Sequence, residues 1–251
     1  MPVRMRSTCL ITLIFCLLMG CRAPAPPKAP TAQKSEARTN GTRGGKLSFR
    51  MTSAPKTFNY MLAEGEATII GAGFTLTSRV IEFDHSSLKY VGGLAESWTM
   101  QPDGKTLDIK LRDGLKFSDG HALTTDDLVF SLEAIYDEKT QAAAYRDAML
   151  VDDKPIETKK VSATEMQMIF PHAVASAENY LVNLGVLPMH ILGADQKAGK
   201  LAEAMKITSP PASIVSSGPF VVEAVSPGER IDFARNPHYW KKDAAGTHLP
   251  Y

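Results

Sequence analysis

Residues 94–131 carry the densest local instructions in the chain. Three Asp-Gly pairs, at 103–104, 113–114 and 119–120, divide short apolar runs that cannot continue through them. Leu107, Ile109 and Leu111 alternate with Thr106, Asp108 and Lys110, the period of a strand with one buried face. The run 94–100 precedes it across Gln101-Pro102-Asp103-Gly104, where Pro presets φ and Gly accepts φ > 0, so the two runs predict a β-hairpin. In Leu123-Thr-Thr-Asp-Asp-Leu128, Thr124 as N-cap and Asp127 three residues on make a capping box. Leu128, Leu132 and Ile135 follow at helical spacing, which predicts a helix over 125–136. The acids Asp126 and Asp127 are explained as partners of that helix's positive end, without a catalytic or metal role.

The remaining body is read more coarsely. Residues 46–51 (KLSFRM) alternate as a strand does, and Pro55 ends the alternation. Small apolar residues over 67–80 suggest a closely packed helix. Met166, Met168 and Phe170 share one face of a strand over 161–170, and 173–184 reads as a helix ending at Gly185. Two runs, 220–225 and 231–235, flank Ser226-Pro-Gly-Glu229 as a second hairpin, which Asn236-Pro237 stops before Tyr239-Trp240. Strands and helices mix without a βαβ rhythm or a repeat, so the class is irregular α/β with mixed α+β character.

The amino terminus reads as an address. Arg4 and Arg6 precede an apolar run over 9–19, too short to cross ~30 Å of hydrocarbon but of the length of a secretory core. It ends in Leu18-Met19-Gly20-Cys21, which resembles a bacterial lipobox with Cys21 as the lipidated first residue of the mature chain. The alternatives are a plain signal peptide cut elsewhere, or a short uncut anchor. Removal of residues 1–20 lowers the formal charge by two, from +1 to −1. A balance so near zero does not suit a nucleic-acid binder. All three cysteines lie at or before position 21, so the body has neither disulfides nor thiol chemistry. Residues 21–44, with Pro24, Pro26, Pro27 and Pro30 among Ala, Lys, Thr and Ser, read as a flexible tether.

Catalytic signatures are not found. The six histidines show no pair at metal-ligand spacing, and there is no nucleophile elbow, Walker loop or dinucleotide fingerprint. Neither a metal nor a cofactor is expected.

The runs Leu94-Ala-Glu-Ser-Trp98, Pro102-Asp-Gly-Lys-Thr106, Leu111-Arg-Asp-Gly114, Lys116-Phe-Ser-Asp-Gly120 and Leu123-Thr-Thr-Asp-Asp-Leu-Val-Phe-Ser131, in this order, resemble the signature of the family 5 extracellular solute-binding proteins. These are the oligopeptide- and dipeptide-binding receptors of ABC importers. Ala54-Pro-Lys-Thr-Phe-Asn59, Ser217-Gly-Pro-Phe220 and Arg235-Asn-Pro-His-Tyr-Trp240 resemble further family segments, with Tyr60 standing where the family usually has Pro.

The resemblance implies a periplasmic-binding-protein type II-like first lobe from 45–81 and 185–251, with 82–184 as an inserted domain. The second lobe, which carries most ligand anchors, is expected beyond Tyr251, because family members are expected to run to about twice this length. The implied partners are a peptide or another small solute, an ABC permease, and a membrane reached through the lipid anchor. Ser53, Ala54, Pro55, Ser216, Ser217 and Gly218 match cleft-side segments and are the candidate ligand residues. Ala54 lacks the acid that some members carry there. Two other readings stay open: a truncated structural or interaction lipoprotein that no longer binds solute, and a secreted hydrolase with a dispersed Ser/His/acid set.

Overall fold

A computed structural model describes residues 41–63, 65–243 and 245–250. The leader, Cys21 and nearly all of the tether lie outside the described residues. The strand expected over 46–51 is not formed. Its residues are extended but unpaired, with Leu47 87% and Phe49 55% exposed. Alternation produces a strand only where a neighbour supplies the hydrogen bonds, and among the described residues none does. One long contact, Lys46 Nζ to Asp232 Oδ1 at 4.0 Å, ties this segment to the body. Ordered packing begins at Thr57, which bridges to Lys206, and at Phe58, whose amide donates to the Met205 carbonyl at 2.7 Å. Asn59 then caps a single 3-10 turn, Tyr60–Leu62, by accepting from the Met61 amide at 3.0 Å.

Five α-helical segments follow along the chain. They are α1 (Glu66–Thr68), α2 (Thr125–Tyr136), α3 (Ala143–Met149), α4 (Glu178–Leu181) and α5 (Met189–Lys197). α1 continues as a π-helix over Ile69–Leu76, so the helix expected over 67–80 stops early. The hydroxyls of Thr75 and Thr77 reach back five residues to the Ile70 and Ala72 carbonyls, both at 2.8 Å. The chain leaves the helix in extended form at Thr77. α2 forms over the predicted residues with both halves of the Thr124/Asp127 box in place.

The helix expected over 173–184 shortens to α4. Ahead of it the chain lies against the Gly104 turn, the Val174 amide donating to the Gly104 carbonyl at 3.1 Å. α5 was not foreseen. It starts after Pro188, and the side chain that receives its first amide belongs to α2.

The strands are β1 (Ile81–Asp84), β2 (Lys89–Gly92), β3 (Ala95–Met100), β4 (Thr106–Leu111), β5 (Glu157–Lys160), β6 (Glu165–Ile169), β7 (Phe220–Ser226) and β8 (Arg230–Arg235). β3 and β4 form the predicted hairpin, and β6 joins β4 from the other side to give an antiparallel sheet ordered β3-β4-β6-β5. Trp98, Leu107, Ile109, Leu111, Met166 and Met168 make its buried face, each at most 2% exposed. β7 and β8 form the second predicted hairpin, and β1 and β2 a small unpredicted one. The buried apolar side chains make one contiguous cluster running from Phe58 to Val222. Among the described residues no helix is long and apolar enough to cross a membrane.

Candidate functional site

The six expected ligand residues fall into two unlike settings. Ser53 and Ala54 are exposed in a bend, and Pro55 is buried where the chain enters the core. Ser216 and Ser217 are 2% and 3% exposed, and Gly218 is buried with them. No hydrogen bond among the described residues joins the first trio to the second.

Segment 216–218 is a junction in which every backbone polar group has a partner. The Ser216 amide donates to Ser118 Oγ at 3.0 Å, and the Ser216 carbonyl accepts from the Ser118 amide at 2.8 Å. The amides of Ser217 and Gly218 both donate to the Leu76 carbonyl, at 3.2 and 3.0 Å. The Ser217 carbonyl accepts from Ser78 Oγ at 2.6 Å, and the Gly218 carbonyl from Asn236 Nδ2 at 2.8 Å. The hydroxyls are engaged as well: Ser216 Oγ donates to the Phe220 carbonyl at 2.7 Å, and Ser217 Oγ accepts from the Ser78 amide at 3.0 Å. Buried backbone groups must be paired, and here they are paired internally. The segment therefore has no spare group with which to extend a sheet onto a ligand. Its chemistry is that of a rigid support.

Ser118 belongs to a tight turn, braced by Phe117 N–H to the His121 carbonyl at 2.9 Å and Gly120 N–H to the Phe117 carbonyl at 3.0 Å. Phe117 is fully buried beneath it. Next to Ser118, Asp119 Oδ2 lies 2.7 Å from His190 Nε2 on α5, while its Oδ1 accepts from the His121 amide at 3.0 Å. Partial burial pushes the Asp119 carboxyl up, but the hydrogen bonds from His190 and the His121 amide outweigh it and hold it below its usual range. The rings of His121 and His190 stack with centroids 3.8 Å apart. Two histidines that looked scattered along the chain are thus brought together by folding. Among the described residues no group of three or more His, Cys, Asp or Glu side chains is placed to hold a metal ion.

The acidic pair keeps its capping role and divides two further tasks. Asp126 pairs with Lys160 Nζ at 2.7 Å. Asp127, 4% exposed, accepts from the Thr124 amide at 2.9 Å and, through its other oxygen, from the Met189 amide at 3.0 Å. One carboxylate so terminates two helices. Burial raises its pKa despite these donors.

Sequence reasoning missed Ser118 and Ser78, the side chains that hold 216–218 from either side. No spacing signal could have found them, since each pairs across about a hundred residues or more. Two surface grooves occur elsewhere. One of about 300 Å³ lies on the outer face of the sheet around Thr99, Asp108 and Gln167. Another of about 620 Å³ lies around Asp152, His172 and Asn179. Neither includes any of the six candidate residues.

Comparison with known proteins bears on the architecture. The model for bacterial extracellular solute-binding proteins, family 5 Middle, matches residues 89–249. A probable ABC transporter-binding protein of Deinococcus radiodurans is 32% identical over 169 residues, which cover 64% of this chain and 28% of that protein. The crystal structure of the ABC transporter substrate-binding protein CtaP of Listeria monocytogenes superposes with a TM-score of 0.64 at 25% identity, covering 77% of this chain and 37% of that one. The oligopeptide-binding protein AppA of Bacillus subtilis, solved in complex with a nonapeptide, superposes with a TM-score of 0.59 at 27% identity, covering 76% and 36%. The matched part of the chain therefore spans about a third of the length of these relatives. Its mixed α/β fold is that of the periplasmic-binding-protein type II structures.

Proposed function

Because the chain belongs to the bacterial extracellular solute-binding proteins of family 5, which are transport binding proteins and not enzymes, we propose that it forms the amino-terminal part of a peptide-binding receptor of an ABC importer. The carrying observation is the fold shared with the Bacillus subtilis oligopeptide-binding protein, solved with a nonapeptide in place. In this reading residues 45–81 and 185–251 make the first lobe and 82–184 the insert. Ser53 and Ala54 offer exposed backbone to the ligand. Pro55 anchors that strip, and Ser216, Ser217 and Gly218 form the rigid layer behind the ligand-facing wall.

Export follows from the family's extracellular character. Residues 1–20 serve as the leader, lipidated Cys21 as the membrane anchor, and 21–44 as the tether that keeps the receptor beside its permease. A lipid chain with a short spacer suits a protein that works next to a bilayer rather than inside it.

Isothermal titration of the full chain against a library of short peptides tests the function. Saturable heat with at least one peptide is expected, weakened when Ala54→Pro removes a backbone donor. Absence of binding to every peptide would sink the reading. Metabolic labelling with a radioactive fatty acid tests the anchor, and label that persists in Cys21→Ser would refute it.

A further inference from the structure

We propose that Ser118, which touches no ligand, is a positioning residue that sets peptide affinity by holding the Ser216 peptide unit in place. The inference rests on the supporting role proposed for segment 216–218 behind the ligand-facing wall.

Ser118 and Ser216 exchange a reciprocal pair of hydrogen bonds, amide to carbonyl at 2.8 Å and amide to hydroxyl at 3.0 Å, between residues 98 positions apart. Ser216 is 2% exposed, so water does not replace the hydroxyl as acceptor for its amide. On the opposite side the segment is already fixed by the Leu76 carbonyl, by Ser78 and by Asn236. Ser118 thus closes the remaining side.

The bracing of Ser118 itself makes the contact directional. Its neighbours Phe117 and Asp119 are held by the core and by His190, so the hydroxyl is presented from a rigid turn and does not swing freely. Ser118 is only half-buried, yet its hydroxyl serves a buried amide. Without the hydroxyl the buried Ser216 amide would be left unpaired. The added hydroxyl fixes the orientation of the Ser216 peptide plane, and a wall that must meet an extended ligand depends on that orientation.

The test compares Ser118→Ala, Ser118→Thr and a control, Met168→Ala, which weakens the core at β6, a strand that carries none of the clamp residues. Peptide affinity is measured by titration well below each melting temperature, and amide exchange at Ser216 by NMR. Expected for Ser118→Ala is faster exchange at Ser216 and about tenfold weaker peptide binding, the size of one lost buried hydrogen bond. Ser118→Thr, which keeps the hydroxyl, restores both. Met168→Ala lowers the melting temperature and leaves affinity unchanged. Unchanged affinity in Ser118→Ala, alongside faster exchange, overturns the positioning role and leaves a structural tie. Unchanged exchange overturns the clamp. If the wild-type chain takes up no peptide, the binding role fails, and the clamp is judged by exchange alone.

Discussion

Leu76 and Gly218 meet backbone against backbone. The Leu76 carbonyl receives two consecutive amides, and a Cβ on Gly218 would stand 2.5 Å from the Leu76 carbonyl carbon and 2.7 Å from both the Thr75 oxygen and the Thr77 nitrogen. The glycine in Ser217-Gly-Pro-Phe220 is thus explained by close approach and not by a ligand. All three obstructing atoms are backbone, so no side chain can swing aside to make room.

Gly218→Ala is accordingly expected to destabilise the fold by about 3 kcal/mol, at the upper end of overpacking penalties. Urea unfolding checks it as a lower midpoint with an unchanged slope. A loss under about 0.5 kcal/mol would mean that 216–218 yields easily, contrary to its hydrogen bonding.

Asp127→Ala removes the acceptor of two helix-start amides at once and is expected to cost about 2–3 kcal/mol. The pH dependence has a definite sign. Burial raises the Asp127 carboxyl above its ordinary value, so the native state keeps this proton to higher pH than the unfolded chain. The corresponding stability is present below the unfolded-state pKa and is lost as pH rises through the native-state one. Denaturant melts across that window should slope downward with pH in the wild type, and less so in Asp127→Ala.

Tyr60 is fully buried, its hydroxyl donating to the Gly185 carbonyl at 2.8 Å and its ring standing edge-on to Tyr145 at 5.3 Å. The ring fills the core and its hydroxyl satisfies a distant carbonyl. Tyr60→Phe keeps the ring and strands the carbonyl, and should cost about 1–2 kcal/mol. Tyr60→Pro should cost more because it leaves a cavity. Thermal unfolding of both variants decides.

His172 donates from both ring nitrogens, Nδ1 to the Ala173 carbonyl at 3.0 Å and Nε2 to Asp152 at 2.8 Å, when it is an imidazolium. The Ala173 carbonyl first and the Asp152 hydrogen bond second raise its pKa above the ordinary value of 6.5. The pair's contribution is therefore full below that value and fades as pH rises through the native-state pKa. An NMR titration of the ring proton should show the raised midpoint. Asp152→Asn should lower it, with the Ala173 carbonyl retaining part of the shift.

Some elements were legible because their instructions are local. The β3–β4 hairpin announces itself by alternation and by Pro102-Asp103-Gly104, α2 by its capping box, and the β7–β8 hairpin by Pro227-Gly228. The β1–β2 hairpin turns without glycine or proline and places Leu88 at φ 54°, its turn being held by Asp84, whose carboxylate accepts from the Ser86 amide at 2.9 Å. The strand expected over 46–51 has the right alternation, yet no described neighbour pairs with it. The start of α5 is invisible in its own neighbourhood because its capping carboxylate comes from α2.

The sequence by itself determined the β3–β4 and β7–β8 hairpins and the capped helix from patterns within a few positions of one another, and the family from motifs in order, a resemblance that implied the six candidate residues. Only the tertiary structure decided where those candidates lie. It left Ser53 and Ala54 at the surface and enclosed Ser216, Ser217 and Gly218 between Ser118 on one side and Leu76 and Ser78 on the other. The reason is that a backbone amide carries no trace in the sequence of which partner it will find. Whether a segment is free to meet a ligand is settled when burial obliges each polar group to pair, and those partners come from about a hundred residues away.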